Sequence, residues 1–172
     1  LSLCAAFGAA TERVRIATAA LPLPLHHPLR VAEYAATIDG LSHGRLELGV
    51  GLGAAETPFA GFGLEADERA ERFAEALAIL RAAWSHAPVT FRGKHFVCEG
   101  VSVYPKPVQA GGPPSLRTST SRQPSDLSSE GQAGVFQLAL SALDVPPYAL
   151  VGNDTGGWIA RFKIGYAGAA ID

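Results

Sequence analysis

Residues 11–53 read TERVRIATAALPLPLHHPLRVAEYAATIDGLSHGRLELGVGLG, two short apolar runs joined by one amphipathic run. Residues 14–20 are mostly apolar and include β-branched members, the pattern of a strand buried on both faces. Pro28 suits a first helical turn, where its missing N–H leaves no bond unmade. Val31, Ala35, Ile38 and Leu41 then recur at helical spacing, and Gly40 lies where the helix should stop. Ser42-His43-Gly44 is turn chemistry, and residues 45–50 return to an extended pattern. A strand, a helix and a strand in this order make a parallel unit, right-handed by default. In a barrel of such units the chemistry lies at the carboxyl ends of the strands. Here those ends are Ala19-Ala20-Leu21-Pro22 and Gly49-Val50-Gly51-Leu52-Gly53.

The next segments supply packing rather than chemistry. A second helix is expected from Leu64, with Ala66, Ala70, Phe73, Leu77, Leu80 and Trp84 on one stripe. Glu65, Asp67 and Glu68 stand at its start and Arg81 near its end, matching the helix dipole, and Glu68 and Arg72 are in the favourable order for a surface pair. Arg92-Gly93-Lys94 reads as a turn between two short strands, and Tyr104-Pro105-Lys106-Pro107 as extended chain. The opening LSLCAAFGAA reads as the end of a helix rather than as a signal peptide.

Charge and cysteine content narrow the function classes. A net charge of -2 gives no electrostatic basis for binding nucleic acid or an anionic membrane. Cys4 and Cys98 do not make a disulfide framework, and no apolar run is long enough for a membrane span, so a cytoplasmic protein is expected. With 48% hydrophobic residues in 172, a globular core is within reach. The chain has no methionine, and a fragment or processed product is expected.

An ordered set of motifs carries a resemblance. Ala19-Ala20 through Leu25-His26-His27-Pro28, Val31-Ala32-Glu33, Asp39-Gly40-Leu41-Ser42-His43-Gly44-Arg45 and Gly49-Val50-Gly51 are similar to the bacterial luciferase-like monooxygenases. Residues 59–63, Phe73 to Glu75 within the second helix, Phe91-Arg92-Gly93-Lys94-His95-Phe96 and Pro105-Lys106-Pro107-Val108-Gln109 continue the series in order, so the resemblance covers about residues 1–114. It implies an α/β fold, a partial (β/α)₈ barrel, that binds reduced FMN or a deazaflavin coenzyme. The chemistry implied is oxygenation or hydride transfer on a small-molecule substrate, with a homodimer or a flavin reductase as partner. It also implies a cis peptide at Ala19-Ala20 under the flavin ring, where an ordinary trans strand end is the other reading. The implied cofactor-binding residues are Ala19, Ala20, Gly49, Val50 and Gly51. Some members carry an arginine that reaches the flavin phosphate where this chain has Leu52.

Catalytic residues are less defined. His26 and His27 follow a strand's carboxyl end, so one of them lines the pocket or donates to substrate; alternatively His27 starts the helix and His26 is a loop residue. Adjacent histidines rarely converge on one ion and no carboxylate or cysteine set completes a site, so no metal is expected. His43, His86 and His95 read as turn or surface residues, and Glu56 as a neighbour of the pocket.

The tail departs from the pattern. Residues 115–129 read as a linker, and 130–172 as a non-homologous strand–turn–helix segment with a helix over 130–143 and a strand at Tyr148-Ala149-Leu150-Val151. Gly152-x-Asp154-x-Gly156 resembles the nucleophile elbow of α/β-hydrolases in its aspartate variant, which makes Asp154 an alternative nucleophile. No histidine follows His95, so the usual triad order is unavailable, and a turn aspartate or a catalytically silent chimeric fragment are the competing readings.

Overall fold

The computed structural model describes residues 1–53, 56–117, 148–151 and 162–164. Helix α1 (Ser2–Ala10) leads into β1 (Arg15–Thr18), β2 (Leu21–Pro22) and a 3₁₀ turn, Leu23–Leu25. Then come α2 (Pro28–Leu41), β3 (Leu46–Gly51), α3 (Glu56–Gly61) and α4 (Arg69–Ala83). Strands β4 (Val89–Arg92), β5 (Val97–Val101), β6 (Ser115–Arg117), β7 (Tyr148–Val151) and β8 (Phe162–Ile164) complete the described elements.

The strand–helix–strand unit forms as its periodicities require. β1 and β3 pair in parallel, with Ile16 opposite Leu46 and Ala17 opposite Glu47. Every residue of β3 is buried, as a strand covered on both faces must be. On one side β3 also pairs in parallel with β6, and β1 pairs in parallel with β7, which β8 joins antiparallel. β6 lies at the start of the segment expected as a linker: Ser115–Arg117 finds ladder partners on β3 that no local signal encodes. Among the described residues the architecture is thus a parallel sheet backed by helices, part of a barrel rather than a closed one. No helix among the described residues is long and apolar enough to cross a membrane.

The core lies between the sheet and α2 and α4, where Ile16, Leu46, Leu48 and Val50 meet Val31, Ala35, Ile38, Phe73, Leu77 and Leu80. Several expectations about the helices need correction. Leu41, the last residue of α2, is 46% exposed and lies off the buried stripe. Helix α4 begins at Arg69 rather than near Leu64; Phe73, Leu77, Leu80 and Trp84 are buried, while Ala70 is exposed. Arg72 does not pair with Glu68 but turns inward toward Pro24.

Two buried polar hubs hold the amino-terminal side of the sheet. The Asp39 carboxylate, wholly buried, accepts hydrogen bonds from Val108 N (2.8 Å), Gln109 N (2.9 Å) and Gln109 Nε2 (2.7 Å). Arg45 is 9% exposed, and its guanidinium donates to Ser42 O, Thr11 Oγ1, Val14 O, Gly8 O and Thr11 O at 2.6–2.9 Å. Gly8 O and Thr11 O lie at the end of α1 and Ser42 O at the end of α2, where the helix dipoles favour a cation. Between the hubs the chain turns through His43 and Gly44, both at positive φ (53° and 78°), which glycine adopts without a Cβ penalty.

The β4–β5 hairpin is fastened to α4 by Glu75, whose carboxylate accepts from the backbone N–H groups of Lys94 (2.8 Å), His95 (3.0 Å) and Phe96 (3.1 Å). Burial pushes the Glu75 carboxyl up, but the three donors outweigh it and hold it below the ordinary glutamate range. A depressed folded value stabilises the protein above the unfolded value, and the contribution is lost as pH falls through the folded one. Glu75→Gln is therefore expected to cost about 1–2 kcal/mol at pH 7 and to flatten the loss of stability between about pH 5 and pH 3. Urea midpoints measured at pH 7, 5, 4 and 3 check this; parallel acid limbs for the two proteins would refute it.

Candidate functional site at the strand carboxyl ends

A 2.5 Å bond from Arg15 Nε to Glu47 Oε1 places these two side chains on one face of the sheet, opposite the helix-packed face of Ile16, Leu46, Leu48 and Val50. Alternation along the strands then puts Ala17 beside Arg15, and Gly49 and Gly51 beside Glu47, on that same face. Side chains therefore shrink toward the carboxyl ends, from a charged pair to alanine and bare backbone. Directly after β1 come Ala19 and Ala20, joined by a cis peptide bond, as the resemblance implied. β2 then resumes pairing with β3, Leu21 opposite Val50 and Pro22 opposite Gly51. The Thr18 hydroxyl donates to Gly49 O at 2.8 Å and ties the two strand ends together.

The far end of this edge is equally defined. Gly53 has φ +80°, and a Cβ there would lie 3.1 Å from the Phe59 ring and 3.4 Å from Pro22 Cβ. Both the backbone angle and the close approach of the buried Phe59 require glycine. Ala19 and Ala20, directly before β2, and Gly49, Val50 and Gly51 of β3 thus lie at the carboxyl end of the sheet.

The histidines separate. His26 follows the 3₁₀ turn, its N–H donating to Leu23 O at 3.1 Å. It is half-buried, and burial pushes its imidazole below the ordinary value. It lines a cleft of about 380 Å³ with Leu21, Leu25, His27, Arg30 and Tyr34. His27 is the exposed residue that caps α2, and its ring meets the Phe96 ring edge-on at 5.6 Å. It also borders a second cleft of about 500 Å³ formed with Leu29, Arg30, Val101, Val103 and Tyr104. His43 and His86 are exposed, as expected. His95 is not a surface residue: its side chain is 4% exposed, with Nδ1 3.5 Å from Glu68 Oε2 and Nε2 3.1 Å from Glu71 Oε2. The hairpin folds it onto α4, a contact invisible in the local sequence.

Among the described residues no group of three or more histidines, cysteines, aspartates or glutamates is arranged to hold a metal ion. Glu56 opens α3, just beyond the glycine-rich edge. Asp154, the elbow glycines Gly152 and Gly156, and the expected helix over 130–143 lie outside the described residues. Sequence reasoning missed Arg72, whose Nε donates to Pro24 O at 3.3 Å and whose guanidinium lies 5.0 Å from the Phe96 ring centroid. Its position on a helix stripe gave no signal, because both partners lie far off in the chain.

Comparisons with known proteins bear on the family and the fold. A family model described as luciferase-like monooxygenase matches residues 1–143, beyond the 114 that the motifs spanned. The F420-dependent glucose-6-phosphate dehydrogenase of Nocardia farcinica is 37% identical over 125 residues, covering 66% of this chain and 37% of that protein. The 4-hydroxyprotoasukamycin monooxygenase of Streptomyces nodosus subsp. asukaensis is 33% identical over 138 residues, 80% of this chain and 36% of that protein. Among solved structures, the monooxygenase RslO1 from Streptomyces bottropensis superposes with a TM-score of 0.68 at 26% identity, covering 88% of this chain and 52% of its own. The chain spans about a third of the length of the curated relatives it matches.

Proposed function

This chain belongs to the luciferase-like monooxygenase family, and from that premise we propose that the carboxyl ends of β1 and β3 hold the ring of a reduced FMN or deazaflavin coenzyme for oxidation–reduction of a small organic substrate. The observation that carries this reading is the loss of side chains along one sheet edge, from Arg15 and Glu47 to Ala19, Ala20, Gly49 and Gly51. A planar ring can rest only against a wall with no protruding side chains, and the partly accessible peptide groups of Ala19 and Ala20 would supply hydrogen-bond donors and acceptors to its polar rim. The residues present fit such a ring.

Each group then has a role of its own. Ala19, Ala20, Gly49, Val50 and Gly51 present backbone to the ring. The fully buried β3 excludes water from behind it. His26, kept uncharged near neutral pH by burial, offers one hydrogen bond toward substrate in the adjoining cleft. Leu52 carries no charge, so the coenzyme phosphate is held from another side. When bound, the coenzyme supplies the hydride or electron pair. A homodimer and, on the FMN branch, a reductase that delivers reduced FMN belong to the same proposal. The relatives divide between deazaflavin-dependent dehydrogenase and monooxygenase, and the two branches differ in the coenzyme that binds.

Titrating the purified chain with FMN, and separately with the deazaflavin coenzyme, is expected to give a saturable fluorescence change with one of them. Absence of any change with both up to about 1 mM, a binding free energy weaker than about 4 kcal/mol, would overturn the reading.

A further inference from the structure

We propose that Arg72 on α4 is a positioning residue for the loop that carries His26 and His27, linking the β4–β5 hairpin to the candidate coenzyme site. The proposal rests on the reading of the strand carboxyl ends as that site. The loop from Leu21 to His27 leaves the paired edge of β2 and β3 and must be held in one shape to keep His26 in its cleft. At its carboxyl end the 3₁₀ turn is closed by the His26 N–H, which donates to Leu23 O at 3.1 Å. Beyond the pairing of Leu21 and Pro22 with β3, Arg72 holds it from outside. Its Nε donates to Pro24 O at 3.3 Å, inside that turn. Its guanidinium lies 5.0 Å from the Phe96 ring centroid, and the opposite loop end, His27, meets the same ring edge-on at 5.6 Å. One cation and one buried ring therefore grip the loop at its middle, Pro24, and at its far end, His27.

The grip is itself anchored. Phe96 N donates to Glu75 at 3.1 Å, and Lys94 Nζ lies 2.8 Å from Glu71 Oε2, so the hairpin tip is fastened to the same helix that bears Arg72. Glu71, Glu75 and Arg72 thus form one platform on α4. A planar guanidinium can donate to a carbonyl while lying over a ring, which a lysine ammonium, a point charge on a flexible stem, does far less well.

The test uses the full chain with Arg72→Ala and Arg72→Lys. Hydrogen exchange at the His26 amide reads opening of the loop, and exchange at the Ser42 amide, which donates to Ile38 O at 2.9 Å, reads helix α2. Expected for Arg72→Ala is exchange about tenfold faster at His26 with Ser42 unchanged, and a coenzyme Kd about three- to tenfold weaker; Arg72→Lys falls between. A merely structural role would speed both amides together, and that result overturns the proposal. So does unchanged exchange at His26, or faster exchange with an unchanged Kd. If the unaltered chain binds neither FMN nor deazaflavin, the site reading fails, while the exchange data still decide whether Arg72 positions the loop.

Discussion

Arg45→Met is expected to lower the unfolding free energy by about 3–5 kcal/mol, a large part of the stability of a domain this size. The argument is one of unmet acceptors. All of the guanidinium's N–H donors are used, on Gly8 O, Thr11 O, Thr11 Oγ1, Val14 O and Ser42 O. Methionine keeps much of the volume but leaves buried carbonyls without a partner, and each costs about 1–3 kcal/mol when water cannot replace the donor. The cation also lies at the carboxyl ends of α1 and α2, so its loss removes a favourable dipole interaction at both. Arg45→Lys should retain roughly half of the effect, since one ammonium reaches fewer acceptors from a single point. Urea unfolding read by circular dichroism checks this as a shift in midpoint at constant slope. A change below about 1 kcal/mol for Arg45→Met would mean that water reaches these carbonyls.

Asp39→Ala is expected to cost about 3–4 kcal/mol. It strands the backbone donors of Val108 and Gln109 and the Gln109 side-chain amide, all of which converge on one buried carboxylate. Asp39→Asn keeps one acceptor oxygen and should lose about half as much. Gln109 Nε2 also donates to Leu46 O at 2.8 Å, so the pair ties the end of α2 to the start of β3 through residues seventy positions apart in the chain. A double-mutant cycle of Asp39→Ala with Gln109→Ala should give a coupling of about 1–2 kcal/mol. Additive effects would contradict a shared hub.

These two hubs lie in one motif of the ordered set that carries the family resemblance, Asp39 to Arg45, and the bonds they make are structural. It sits at the amino end of β3, the face of a barrel that carries stability, while the small residues of the candidate site sit at the opposite end. A motif-based reading therefore located the family correctly, while the proposed site rests on a weaker signal, the run of Ala19, Ala20, Gly49 and Gly51.

Elements with a strong local period were legible. The strand at 14–20, the helix opening at Pro28 and the strand at 45–50 all formed within a residue or two of their expected bounds, because apolar spacing and a proline are properties of adjacent positions. The helix expected from Leu64 started five residues late, because acidic residues that suit a helix start also suit the turn that precedes one. Ser115–Arg117 has no period at three residues, and its identity as a strand comes wholly from β3 beside it.

Periodicity in the chain thus settled the strands at 14–20 and 45–50, the helix between them, and that β1 and β3 run in parallel. Packing in three dimensions settled the polar contacts. Arg45 reaches Gly8, Asp39 meets Gln109, Arg72 grips Pro24, and His95 is buried against Glu68 and Glu71 rather than exposed in a turn. The physical reason is range: hydrophobic spacing is written in neighbours three and four residues apart, whereas a buried donor finds its acceptor only after distant segments have been brought together.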